Sequence, residues 1–184
     1  MKSTFYLIVL SYFLFLISCN SKPKESNSNE ILYSMEGKSS DGLQRMRSSR
    51  TEESIVWNGK NYHYVISCEP NDSLPKIKDE SGDVFVDNIV TLSIKRNNNE
   101  SFFDKTFIKQ SFASVLDEKF LSYAMLEGMV FDKVTDEGVN FAASVSYPRS
   151  DLFVPVIITI SSNGKMTIRK EVSLEENISS NLME

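Results

Sequence analysis

The side chains able to do chemistry in this chain are few, and their spacing limits them further. His63 is the only histidine, so a metal site needing two imidazoles is excluded, and any serine–histidine–aspartate relay would have to run through this one ring. Cys68 lies five residues further on. In an extended strand that odd separation puts the two side chains on opposite faces, about 16 Å apart at ~3.3 Å per residue, which rules against a cysteine–histidine dyad within one strand. Asp117-Glu118, Asp136-Glu137 and Glu175-Glu176 are acidic pairs, but each is adjacent in sequence, whereas glycoside hydrolysis needs two carboxylates facing each other across a cleft. The glycines form no phosphate-cradling loop. Nothing here nominates a catalytic residue, a metal ligand or a cofactor, and the expectation is a protein that is not an enzyme.

Recognition chemistry is better represented. Trp57, Tyr62 and Tyr64 cluster around one predicted hairpin and are the candidate ligand-binding residues, because amphipathic rings give large contact area at small entropic cost. The alternative is that these rings, with Phe102, Phe103, Phe107 and Tyr147, fill the core of a small domain. Asp72-Ser73-Leu74 is similar to the three-residue O-glycosylation acceptor of exported Bacteroidetes proteins, which makes Ser73 a candidate modification site.

The cysteine with the most specific context is Cys19. Lys2 is followed by an apolar run of thirteen residues, Phe5 to Ile17, which as a helix covers about 20 Å and falls short of the ~30 Å hydrocarbon core. It reads as a cleaved export signal. Leu16-Ile17-Ser18-Cys19 is similar to a bacterial lipobox, in which the cysteine is acylated and becomes the new N-terminus. Stable anchoring needs more than one acyl chain, which such a cysteine carries. Asn20, where aspartate would argue for inner-membrane retention, points to the outer membrane. Ser21-Lys22-Pro23-Lys24, where surface display would place acidic residues, points to its periplasmic leaflet.

The chain has 184 residues, 41% hydrophobic and 24% charged, with net charge −5 at pH 7. That fits one globular domain and no polytopic membrane protein. Loss of Lys2 with the leader leaves the remainder more acidic still, so nucleic-acid binding is not expected. Cys68, alone after Cys19 is acylated, has no disulfide partner.

The organisation follows from composition and period. Residues 1–18 are the signal peptide, 19–53 the lipidated cysteine and a polar flexible tether, 54–173 the globular domain, and 174–184 a polar tail. Within the tether, the stretch from Asp41 to Met46 has spaced apolar side chains that could dock on the domain. Ser54 to Trp57 and Lys60 to Cys68 flank Asn58-Gly59, the pair best suited to a type I′ hairpin. A loop at 69–83 precedes a second hairpin, Val84 to Arg96 with Ser101 to Ile108. Phe112, Val115, Leu116, Phe120 and Ala124 then recur at helical spacing. Ser111 is the expected cap, Gly128 the expected stop, and Asp117-Glu118 a break. Alternation returns from Met129 to Thr135 and Val139 to Tyr147, then from Leu152 to Ile160 and Lys165 to Val172. Pro155 argues for an edge or a bulge. The expected fold is α+β, mostly antiparallel β with seven or eight strands in a curved sheet or flattened barrel, and one helical segment near 111–126. A two-sheet sandwich is the alternative.

Several stretches together resemble an uncharacterised domain-of-unknown-function family of small Bacteroidales lipoproteins: Gly42-Leu43-Gln44-Arg45-Met46, Trp57-Asn58-Gly59-Lys60, Tyr62-His63-Tyr64, Phe103 to Lys109, Leu126 to Asp132 and Ala143 to Pro148. The resemblance implies an envelope location and a mostly antiparallel fold, and no activity or cofactor. The expected function is therefore a noncatalytic, outer-membrane-anchored lipoprotein that binds a glycan, a peptide or an envelope protein. A structural or assembly partner of an envelope complex is the alternative, and a hydrolase with an unidentified carboxylate pair stands third.

Overall fold

The computed structural model describes residues 39–171. The expected signal peptide, Cys19 and the tail at 174–184 lie outside these residues.

Eleven strands and one short α-helix make up the described chain, three or four strands more than expected. Two four-stranded antiparallel sheets supply the bulk. The first runs β2 (Ser49–Trp57), β3 (Lys60–Pro70), β6 (Asn88–Arg96), β7 (Ser101–Phe107) in spatial order. The second runs β11 (Met166–Lys170), β10 (Phe153–Ile160), β9 (Val139–Ser146), β8 (Met125–Val134). Their apolar faces share one core, with Tyr64, Ile66, Leu92 and Ile94 from one sheet and Phe141, Val145, Val156 and Ile158 from the other. This is the two-sheet arrangement; the strands close no barrel. The extra strands are two-residue pieces, β1 (Leu43–Gln44), β4 (Ile77–Lys78) and β5 (Val84–Phe85), which form a small third sheet in the order β1-β5-β4.

Local chemistry explains the turns. Asn58 and Gly59 have φ of 50° and 69°, the two positive values that a type I′ turn requires. The helical segment is shorter than its stripe of apolar residues suggests. It consists of a 3-10 turn (Lys109–Phe112) and α1 (Glu118–Tyr123). Asp117 caps α1 by accepting from the N–H groups of Lys119 at 2.8 Å and Phe120 at 3.1 Å. The helix ends at Ala124, which is extended. Gly128, expected as the stop, is an interior residue of β8.

Two expectations change for identifiable reasons. Residues 39–53, assigned to the tether, carry β1 and the first half of β2, and Met46 is buried against Ile77, Phe85 and Met125. Pro155 is on neither an edge nor a bulge, since β10 lies between β9 and β11 and its register with β9 is unbroken there. Its carbonyl accepts from Glu171 N–H at 3.0 Å. In an antiparallel strand the nitrogen and carbonyl of a residue point to the same side, so the missing donor falls where β11 ends and no bond to β9 is lost.

Candidate functional site

The aromatic cluster singled out by sequence is brought together, but inside the molecule. Trp57, Tyr62 and Tyr64 are only 3%, 7% and 2% exposed. The Trp57 and Tyr62 ring centroids are 5.4 Å apart, and both rings meet Phe102, at 6.0 Å and 5.3 Å. Tyr64 stacks on Phe131 at 5.5 Å and meets Phe141 edge-on at 5.6 Å. These rings are oriented by period two: they alternate along β3 and at the end of β2, on the face turned to the second sheet. Stacking on a ligand needs an exposed ring face, and none of the three has one. Burial, followed by the nearby Glu53, pushes the Tyr64 hydroxyl up to about 12. That hydroxyl donates to Glu53 Oε2 at 3.2 Å.

His63 and Cys68 do lie on opposite faces. His63 is half-buried on the outer face, where Ser54 Oγ stands 3.4 Å from Nδ1 and the opposed residue in β6 is Lys95. No carboxylate faces the ring in either neighbouring strand at that register. Cys68 is buried, and burial, then the negative charges of Asp87 and Glu69, push its thiol up to about 12, so it is an inert thiol. Ser73 lies exposed in the 71–76 loop, with its hydroxyl on Asn71 Oδ1 at 2.6 Å. Among the described residues no group of three or more His, Cys, Asp or Glu could hold a metal ion.

The strongest polar site was not foreseen. Asp87, Asn88 and Lys109 are all buried where β5 turns into β6 and the 3-10 turn begins. Asp87 Oδ1 accepts from Asn88 N–H and from Leu126 N–H, each at 2.9 Å, and Oδ2 lies 3.5 Å from Lys109 Nζ. Lys109 donates to Ala124 carbonyl at 2.7 Å, and Asn88 Nδ2 donates to Leu126 carbonyl at 2.7 Å. Burial raises the proton affinity of Asp87 above that of an ordinary carboxylate, although Leu126 N–H and the Lys109 charge act the other way. The only sequence signal was a polar pair interrupting the apolar run from Val84 to Val90. Chemically the cluster ties β6 to the start of β8, and the carboxylate is enclosed, with two backbone donors on one oxygen and an ammonium beside the other.

The exposed ion pairs also join elements. Arg45 binds Asp41 and Asp72, each at 2.8 Å, and holds Asp41 well below the usual carboxylate range. Arg149, with its backbone in the left-handed region at φ 55°, binds Asp79 and Asp83 and lies over the Phe85 ring. An open cleft of about 460 Å³ lies between two hairpin tips and is lined by Lys60, Asn61, Arg96, Asn97 and Asn98. Arg96 is already paired with Glu100 at 2.8 Å.

The outer strands of the two large sheets, β2, β7, β8 and β11, leave edges open, and that of β2 is long and exposed. Among the described residues β2 has one neighbour, β3. Ser49 to Ser54 are exposed and Val56 is 66% exposed. The two-residue loop makes Trp57 and Lys60 a hydrogen-bonded pair. Alternate residues along the strand follow, so Arg50, Glu52, Ser54 and Val56 direct their backbone N–H and C=O away from β3. Charged side chains on such an edge deter unselective pairing and leave room for a matched strand.

A family model described as a domain of unknown function, DUF4738, matches residues 29–168. No curated protein matches the chain.

Proposed function

The chain belongs to that domain-of-unknown-function family, and from there we propose that it is a noncatalytic lipoprotein, anchored through Cys19 in the periplasmic leaflet of the outer membrane, whose domain binds an envelope polypeptide by strand addition along β2. The lipoprotein character and the Bacteroidales setting rest on Leu16-Ile17-Ser18-Cys19 and on the resemblance of the sequence. The observation that carries the binding role is the open edge of β2, whose backbone groups at Arg50, Glu52, Ser54 and Val56 have no partner strand among the described residues. Main-chain pairing would supply affinity, and the charges of Arg50 and Glu52 would select a partner strand of complementary pattern.

Two observations favour a polypeptide over a glycan and over catalysis. Trp57, Tyr62 and Tyr64 are committed to the core. Asp87, the carboxylate with raised proton affinity, is enclosed beside Lys109 rather than set in a cleft.

The test is co-purification with crosslinking from native membranes, using the full-length protein and its Ser54→Pro variant. Proline at Ser54 removes a backbone donor that β3 does not use, so the fold is retained while strand addition is blocked. A partner captured by the unaltered protein and lost in the variant is the expected result. Equal capture by both would overturn the assignment to β2.

A further inference from the structure

The exposed large apolar side chains are not scattered evenly. Tyr123 at the end of α1, and Leu152 and Phe153 at the start of β10, are 55%, 51% and 57% exposed. Tyr123 and Leu152 are joined through Tyr147, while Phe153, paired with Ser146, stands at the same end on the other face of the sheet. The Tyr147 ring stacks on Phe120 at 5.0 Å and meets Tyr123 at 6.3 Å, and its N–H donates to the Leu152 carbonyl at 3.0 Å. One end of the domain therefore exposes large apolar side chains on both faces of the second sheet.

The same end receives the chain from its N-terminal side. α1 packs beside β4. β4 pairs with β5 and β5 with β1, the first strand described, so β1 lies about 10 Å across from β4 at the usual strand spacing. Arg149, in the turn between Tyr147 and Leu152, grips Asp79 and Asp83 of the loop between β4 and β5. Cys19 stands 20 positions before Ser39, a contour no longer than about 70 Å.

We propose that this end is a membrane-facing surface, in which Tyr123, Leu152 and Phe153 enter the headgroup region of a phospholipid bilayer and hold the domain against the leaflet that Cys19 anchors. The inference rests on the lipid anchor of the proposed function. Tyrosine suits this position, with its ring among acyl carbons and its hydroxyl in water. The charges beside the patch are of both signs, with Lys119 and Arg149 against Asp117, Glu118 and Asp151. Attachment is accordingly apolar, requires no anionic lipid and is insensitive to salt.

The experiment uses full-length acylated protein reconstituted in phosphatidylcholine vesicles, with Phe153→Trp as a reporter. Trp57 is the only natural tryptophan and is buried, so it gives a constant background. Replacing the lipid by its chain-brominated form should quench the new indole by about half or more, as burial at the headgroup–acyl boundary requires. The quenching should persist in about 1 M salt, where the Debye length falls to about 3 Å. An unquenched indole on protein that carries the acyl mass and floats with the vesicles would overturn this inference and leave the anchor intact. If that indole were also blue-shifted, the patch would be covered by a second copy of the chain instead. Absence of the acyl mass at Cys19 would overturn the anchor, and this inference with it.

Discussion

Replacing Lys109 by Met should destabilise the domain by about 3 to 5 kcal/mol at neutral pH, because it leaves a buried carboxylate without its cation. Lys109 Nζ and Asp87 Oδ2 are 3.5 Å apart. At an effective dielectric constant of about 20, unit charges at that distance attract by about 5 kcal/mol before desolvation is counted. The ammonium also donates to the Ala124 carbonyl at 2.7 Å, and leaving that acceptor unsatisfied adds about 1 to 3 kcal/mol. Methionine keeps most of the side-chain volume, so a cavity contributes little. The assay is urea unfolding followed by Trp57 emission. Adding Asp87→Asn to Lys109→Met should restore about 2 kcal/mol, since the unpaired charge is gone while an acceptor for Asn88 and Leu126 N–H remains. The pH dependence has a definite sign. Burial already raises the proton affinity of folded Asp87, and removing Lys109 raises it further above the ~3.9 of an unfolded aspartate. Between those two values the folded state binds more protons than the unfolded state, so the variant loses stability as pH rises through that window. Its penalty is therefore smaller at pH 5 than at pH 7. A loss below about 1 kcal/mol, or a penalty that grows on acidification, would refute the reasoning.

Trp57→Ala should cost about 3 to 5 kcal/mol of stability, and Trp57 emission in the native protein should be blue and inaccessible to acrylamide until urea unfolds the chain. Gly138→Ala should destabilise by about 1 to 3 kcal/mol in the same unfolding assay, because a Cβ there would press on the Ile160 carbonyl, a backbone group that cannot turn aside. Cys19→Ala should abolish metabolic palmitate labelling and release the protein from the membrane fraction. Protease added to intact cells should leave the acylated protein uncut if it faces the periplasm.

The parts of this fold that were legible are those set by neighbours in sequence. Asn58-Gly59 fixes its hairpin because both residues accept positive φ, and the alternation of Val139 to Val145 shows a strand with one face in the core. Asp117 marked the break in the helical region because its side chain caps the following turn. Long-range pairing was not legible. β1 and β5 are two residues each and pair in parallel across some forty positions, Leu43 with Val84, so neither has a pattern of its own. Ser49 to Glu53 is polar on both faces because it lies at an exposed edge, and period two vanishes where no face is buried. Trp57 and its neighbours had the composition of a binding surface and of a core alike, and only the position of the second sheet decides between them. Lys109 and Asp87 were invisible for the opposite reason: charged residues are read as surface, and here two of them are buried because each satisfies the other.

The central claim, that β2 is the docking edge of a lipid-anchored module, is tested most directly by site-specific photo-crosslinking in native membranes. A photoreactive side chain at Val56, whose own side chain is exposed and whose backbone faces away from β3, should give a discrete adduct. The adduct should disappear when Ser54→Pro is added, and it should be missing when the probe is moved to exposed Glu118 on α1. No adduct at Val56, or the same adducts from Val56 and Glu118, would contradict the account.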